Sequence, residues 1–93
     1  MPKKVDANQK IIVAAFRQMG ATVLHLHMVG KGCPDVVIGF NRKNYLVEIK
    51  DGDKPPSARK LTPDEVEFHN TWRGQVAVVE SVADAVDFIF SIK

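Results

Sequence analysis

The sequence predicts an α/β fold, a mixed central sheet flanked by helices in the order αβββαβα. Three observations predict it. Apolar residues recur at helical spacing near the N-terminus, three strand-like runs follow in quick succession, and a second helix with a strong start signal then separates the last of these runs from a fourth. At 93 residues, 45% of them hydrophobic, the chain is expected to form one compact domain spanning 1–93.

The first helix is predicted from Asp6 to about Met19. Ile12, Ala15, Phe16 and Met19 lie on one face, Asp6 is a candidate N-cap and Gly20 a candidate stop. "TVLHLHMV", Thr22 to Val29, reads as a strand. After "GKGC", Pro34 to Phe40 is a second strand, "NRKN" a turn, and Tyr45 to Lys50 a third. "DGDKPPSARK", Asp51 to Lys60, has two prolines, a glycine and no apolar period, so it is a loop and the best candidate for a mobile segment.

Thr62 and Glu65 then form a capping box, with Pro63 at the first helical position and Leu61 placed to pack on Val66. Phe68 and Trp72 continue that helix to Gly74. Gln75 to Ser81 is the fourth strand, and Ser81 with Asp84 caps a last helix whose inner stripe is Val82, Val86 and Ile89.

The net charge of +2 hides an asymmetry. Residues 1–60 carry eleven Lys/Arg against five Asp/Glu, residues 61–93 two against six. A basic N-terminal part suggests a polyanionic partner. The single cysteine, Cys33, excludes an internal disulfide and fits a reducing compartment. "MPKKVDANQ" lacks the apolar stretch of a signal peptide, and no run is long enough to span a bilayer. The expected location is cytoplasmic.

The chemistry is concentrated in "GCPDVVIGFNRKNYLVEIKDG", Gly32 to Gly52, where Asp35, Glu48 and Lys50 interrupt apolar strands. A turn centred on Arg42 and Lys43 sets Lys50 opposite Asp35 and Glu48 opposite Val37. Directly opposite residues share a face, so Asp35 and Glu48 become diagonal neighbours with Cα atoms ~7–8 Å apart. Val36, Ile38, Phe40, Tyr45, Val47 and Ile49 then form the buried face, provided the turn has an even number of residues. Two converging carboxylates repel unless a cation neutralises them. Mg²⁺ or Mn²⁺ on Asp35, Glu48 and the Ile49 carbonyl would do so and assist a water to attack a phosphodiester, with Lys50 stabilising the developing charge. The plainer alternative is a structural ion-pair network.

Pro34-Asp35 followed by Glu48-Ile49-Lys50 resembles the signature of the PD-(D/E)xK nuclease superfamily, whose restriction-endonuclease-like αβββαβ core matches the element order. With "LTPDEVEF", a helical Trp and "VVES", nearly the whole chain is similar to the small stand-alone VRR-NUC (virus-type replication-repair nuclease) domains common in phages. The resemblance implies a metal-dependent DNA endonuclease in which Asp35 and Glu48 are metal ligands and Lys50 is the catalytic lysine. It also implies a homodimer similar to Holliday-junction resolvases, acting in the host cytoplasm if phage-encoded. Gln9 stands where related nucleases carry an outer-shell acid, and Glu65 where relatives show Gln. A rival reading keeps the fold but makes it a branched-DNA-binding module that does not cut, or needs a partner to cut.

Lys31, Lys54, Ser57, Arg59 and Lys60 are candidate contacts to the DNA backbone. Gly30 and Gly32 allow a close approach beside Lys31 or simply a tight turn. His25 and His27 share a strand face as zinc ligands do, but no further ligand has zinc spacing, so a polar strand is the simpler account. Cys33 reads as a packing residue, "DGD" lacks the rest of a calcium loop, and Trp72, four residues from Phe68, reads as core rather than a stacking platform.

Overall fold

The computed structural model describes residues 7–93; the expected N-cap, Asp6, lies outside them. Helix α1, Ala7–Gln18, turns Gln9, Ile12, Val13 and Phe16 inward. Val13 thus replaces Ala15 in the expected stripe. Gly20 ends the helix at φ 95. Its N–H donates to the Arg17 carbonyl (3.0 Å) and that of Ala21 to the Phe16 carbonyl (3.1 Å), the paired bonds by which a left-handed residue closes a helix.

The strands are β1 Thr22–His25, β2 Val36–Phe40, β3 Lys43–Ile49 and β4 Val76–Val79; the remaining helices are α2 Pro63–Thr71 and α3 Val82–Ile92. The sheet order is β1-β2-β3-β4. The first two pairings are antiparallel, and β4 returns through α2 to lie parallel to β3. This is the mixed sheet of the predicted αβββαβα order.

The central hairpin corrects the expected register. Its turn is Asn41-Arg42, both at positive φ (52 and 63), the two-residue turn whose twist suits a hairpin. Val36 pairs with Val47 and Ile38 with Tyr45, so the turn lies one residue earlier than expected and the pairing moves by two. Asn tolerates left-handed backbone well, and Lys43 is thereby released into β3. Because side chains alternate, an even shift leaves each on its expected face. Val36, Ile38, Tyr45, Val47 and Ile49 are buried with Val79, against Ile12 and Phe16 of α1 and Ala85 and Ile89 of α3; Phe40, near the turn, is only partly buried. Phe88 sets its ring edge-on to Phe16 and Tyr45, at 6.3 and 5.4 Å between centroids.

Other boundaries differ too. β1 stops at His25 rather than Val29, although the Leu26 N–H still donates to the Asp35 carbonyl at 2.8 Å. The chain must reverse before β2, and it does so through three consecutive left-handed residues, Gly30, Lys31 and Gly32 (φ 76, 53 and 78). His27 therefore leaves the strand. Its ring meets that of His25 edge-on at 5.9 Å, not as a neighbour along one strand face. The loop after β3 contains a 3-10 turn, Pro56–Ala58. α2 ends at Trp72, whose extended ψ of 126 stops it two residues before Gly74. On α3, Val82 is exposed and the inner stripe is Ala85 and Ile89, with Phe88 and Ile92 packed beside them.

Candidate active site

Asp35 ends the irregular approach to β2, and Glu48 is the sixth residue of β3. Continuing the observed pairing by one step sets them directly across from each other, closer than the diagonal arrangement expected; Lys50 passes opposite Cys33 instead. Both acids are almost wholly withdrawn from water, Asp35 at 3% and Glu48 at 1% exposure. Asp35 Oδ2 accepts the Ile49 N–H at 2.7 Å, so the side chain substitutes for a strand carbonyl and is fixed in direction.

Lys50 follows β3 and remains in the sheet, its N–H donating to the Val79 carbonyl at 3.0 Å. Its side chain is 15% exposed; Nζ lies 2.6 Å from Glu65 Oε1 and 3.8 Å from Glu48 Oε2. Glu65 comes from α2. The capping box is formed as expected, with Thr62 N–H donating to Glu65 Oε1 (2.8 Å) and Glu65 N–H to Thr62 Oγ1 (3.3 Å). Val66, expected to pack on Leu61, is exposed, and Glu65 is the one buried residue of α2. The helix start is seated on Gly32, where a Cβ would run into the Asp64 carbonyl. These contacts bring α2 to the charged end of β3.

Two of the buried carboxylates, of Glu48 and Glu65, flank the Lys50 ammonium, while the third, of Asp35, is held by the Ile49 N–H on the neighbouring strand. Such an excess of negative charge away from water is costly unless a cation offsets it. Hard oxygen donors on fixed strands suit Mg²⁺ or Mn²⁺. Among the described residues no three His, Cys, Asp or Glu side chains are grouped to hold a metal. Asp35 and Glu48, on adjacent strands, are the two carboxylates that offer such oxygens.

Gln9 is buried on the inner stripe of α1. Its neighbour Asn8 donates from Nδ2 to the Lys50 carbonyl at 2.8 Å, tying the start of α1 to the end of β3. Sequence reasoning missed Asn8, and no spacing would have found it. The sequence marks Glu65 as a cap and as the residue standing where relatives show Gln, but not as the partner of Lys50; its position in a helix directly after an ExK strand is the available signal. Lys31, Lys54, Ser57 and Lys60 are exposed. Arg59 is half-buried, with Nε donating to the Lys54 carbonyl (2.8 Å) and Nη1 3.4 Å from Glu80 Oε2; its fork braces the loop against the end of β4. Trp72 stacks on Phe68, 5.1 Å apart at 14°, but is 48% exposed rather than core.

A four-stranded mixed sheet with a β3-α2-β4 crossover and acids on its central hairpin defines a restriction-endonuclease-like α/β domain. No family model and no curated protein matches the chain. A solved structure described as "VRR_NUC domain" superposes with a TM-score of 0.69 at 26% identity, covering 91% of this chain and 92% of its own. The chain has the fold of a VRR-NUC domain, as the resemblance implied. No helix among the described residues is long and apolar enough to cross a membrane.

Proposed function

We propose that residues 1–93 form a single nuclease domain, a metal-dependent DNA endonuclease hydrolysing phosphodiester bonds and preferring four-way junctions. The observation that carries this is the burial of Asp35 and Glu48 on one face of adjacent strands, with Lys50 Nζ 3.8 Å from Glu48. The VRR-NUC fold supports nuclease-type chemistry with DNA as partner; the residue roles, metal and substrate are our reading.

Asp35, Glu48 and the Ile49 carbonyl would hold Mg²⁺ or Mn²⁺, and when bound the ion supplies positive charge toward the phosphate and the attacking water. The chain's own groups do the rest. The Ile49 N–H locks the Asp35 carboxylate, so the donor direction is set before substrate arrives. Lys50 directs its amine toward the scissile phosphate and stabilises the charge that develops as the bond to the leaving 3′-oxygen breaks. Exposed Lys31, Lys54 and Lys60 hold the backbone by charge without reading sequence, with Ser57 as a further polar contact. Buried Gln9 and the braced Arg59 act from behind these positions.

A junction with two-fold symmetry calls for paired cuts, hence a homodimer. Leu24, Met28 and Val29, exposed on β1 and the turn after it, are apolar surface that a second copy would cover. To test the reading, purified protein is incubated with a synthetic four-way junction, a flap and linear duplex, with Mg²⁺ or Mn²⁺ and then with EDTA. Metal-dependent nicking of the junction is expected, lost in EDTA. Binding without nicks in either metal would refute the enzyme, and equal cutting of plain duplex would remove the junction preference.

A further inference from the structure

Glu65 is 2% exposed, and its Oε1 accepts two donors at once: the Thr62 N–H at 2.8 Å and the Lys50 ammonium at 2.6 Å. We propose that Glu65 is a positioning residue, by which the start of α2 holds the Lys50 amine in place beside Glu48. This rests on the nuclease reading for its consequence in catalysis, but the holding of the amine does not.

The argument is geometric. A lysine side chain has four rotatable bonds and a strongly hydrated head, and left alone it would sample many positions. Here the side chain is only 15% exposed and its head lies 1.2 Å closer to Glu65 than to Glu48, the difference between 2.6 and 3.8 Å. Glu65 is itself not free to follow it. As the third residue of a capped helix, its carboxylate is fixed by the backbone of Thr62, and the helix start is seated on Gly32. The amine is therefore referenced to the capped start of α2 as well as to its own strand. The ammonium thus bridges the two carboxylates, close to Glu65 and at the longer ion-pair distance from Glu48. An acceptor at this point matters more than its charge, because a neutral carbonyl oxygen can accept both donors too.

Three substitutions separate this role from capping. Glu65→Met keeps the bulk but removes the acceptor, Glu65→Gln restores it without charge, and Thr62→Ala removes the reciprocal cap bond while leaving Lys50 its partner. Junction-cleavage kcat and KM, thermal unfolding, and acylation of Lys50 by an amine reagent followed by mass spectrometry are compared. The expected result for Glu65→Met is a fall in kcat on the order of 10- to 100-fold with KM unchanged, together with faster Lys50 acylation. Glu65→Gln is expected to recover most of both. Thr62→Ala is expected to lower the melting temperature and leave kcat and acylation unchanged. Should Glu65→Met unfold, Glu65→Asp, which keeps the charge but withdraws the oxygen, takes its place with the same expected direction. Wild-type kcat and acylation in Glu65→Met, or an equal fall in kcat in Thr62→Ala, would overturn the proposal. If the wild-type protein cuts nothing, the nuclease reading fails alone, and the acylation comparison still decides what Glu65 does.

Discussion

The two faces of the β2-β3 hairpin differ more than any other pair of regions in the molecule. One presents Val36, Ile38, Tyr45, Val47 and Ile49 to α1 and α3, all buried without a charge among them; the other, one residue out of phase, brings together Asp35, Glu48 and Lys50. A strand cannot move one set without the other, since the pleat sends neighbours to opposite sides. The difference teaches how a small domain holds acids in place: the apolar face fixes the hairpin rigidly, and the charged face inherits that rigidity.

The comparison can be broken from either side. The largest effect is expected from Asp35→Asn, which keeps an acceptor for the Ile49 N–H but removes the charge. Cleavage should fall on the order of 10³-fold, about 4 kcal/mol of barrier, with the melting temperature little changed; retained cleavage would separate the acid from the chemistry. Next is Phe16→Ala, on the helix that covers the apolar face. It should cost about 3–5 kcal/mol in urea unfolding, and a loss below 1 kcal/mol would mean that the face tolerates loose packing. Gly32→Ala acts where the charged side meets α2. Its left-handed φ of 78 and the Asp64 backbone facing the added methyl predict a loss of about 2–3 kcal/mol, with cleavage reduced beyond what stability explains. The smallest effect is a gain: Arg42→Gly should stabilise by about 1 kcal/mol by relieving a left-handed non-glycine residue (φ 63), leaving cleavage unchanged.

Much of this was legible because alternation is robust. The turn was misplaced by one residue, yet the faces were assigned correctly, since the displaced pairing stayed even. Helix starts were legible where side-chain capping chemistry is local, as at Thr62-Glu65 and Ser81-Asp84. What failed depended on contacts distant in sequence. Val82 begins a helix with the right period but faces out, because the packing against α1 favours Ala85 and Ile89. Trp72 has core composition and helical spacing from Phe68, yet it is the residue at which α2 ends. The Asn8 bond to the Lys50 carbonyl spans forty-two positions and carries no local pattern. Glu65 is the subtle case: the local cap accounts for it, while its bond to Lys50 spans fifteen positions.

Because the one fully buried side chain of α2 is acidic and Phe68 is only partly covered, the helix has little of the oily underside that anchors most helices. Its grip is polar and sits at one end. Such an element should be the earliest to lift away when the native state opens locally, ahead of the sheet. Deuterium uptake at its amides would then mark when the domain loses its hold on the Lys50 amine while the strands remain paired.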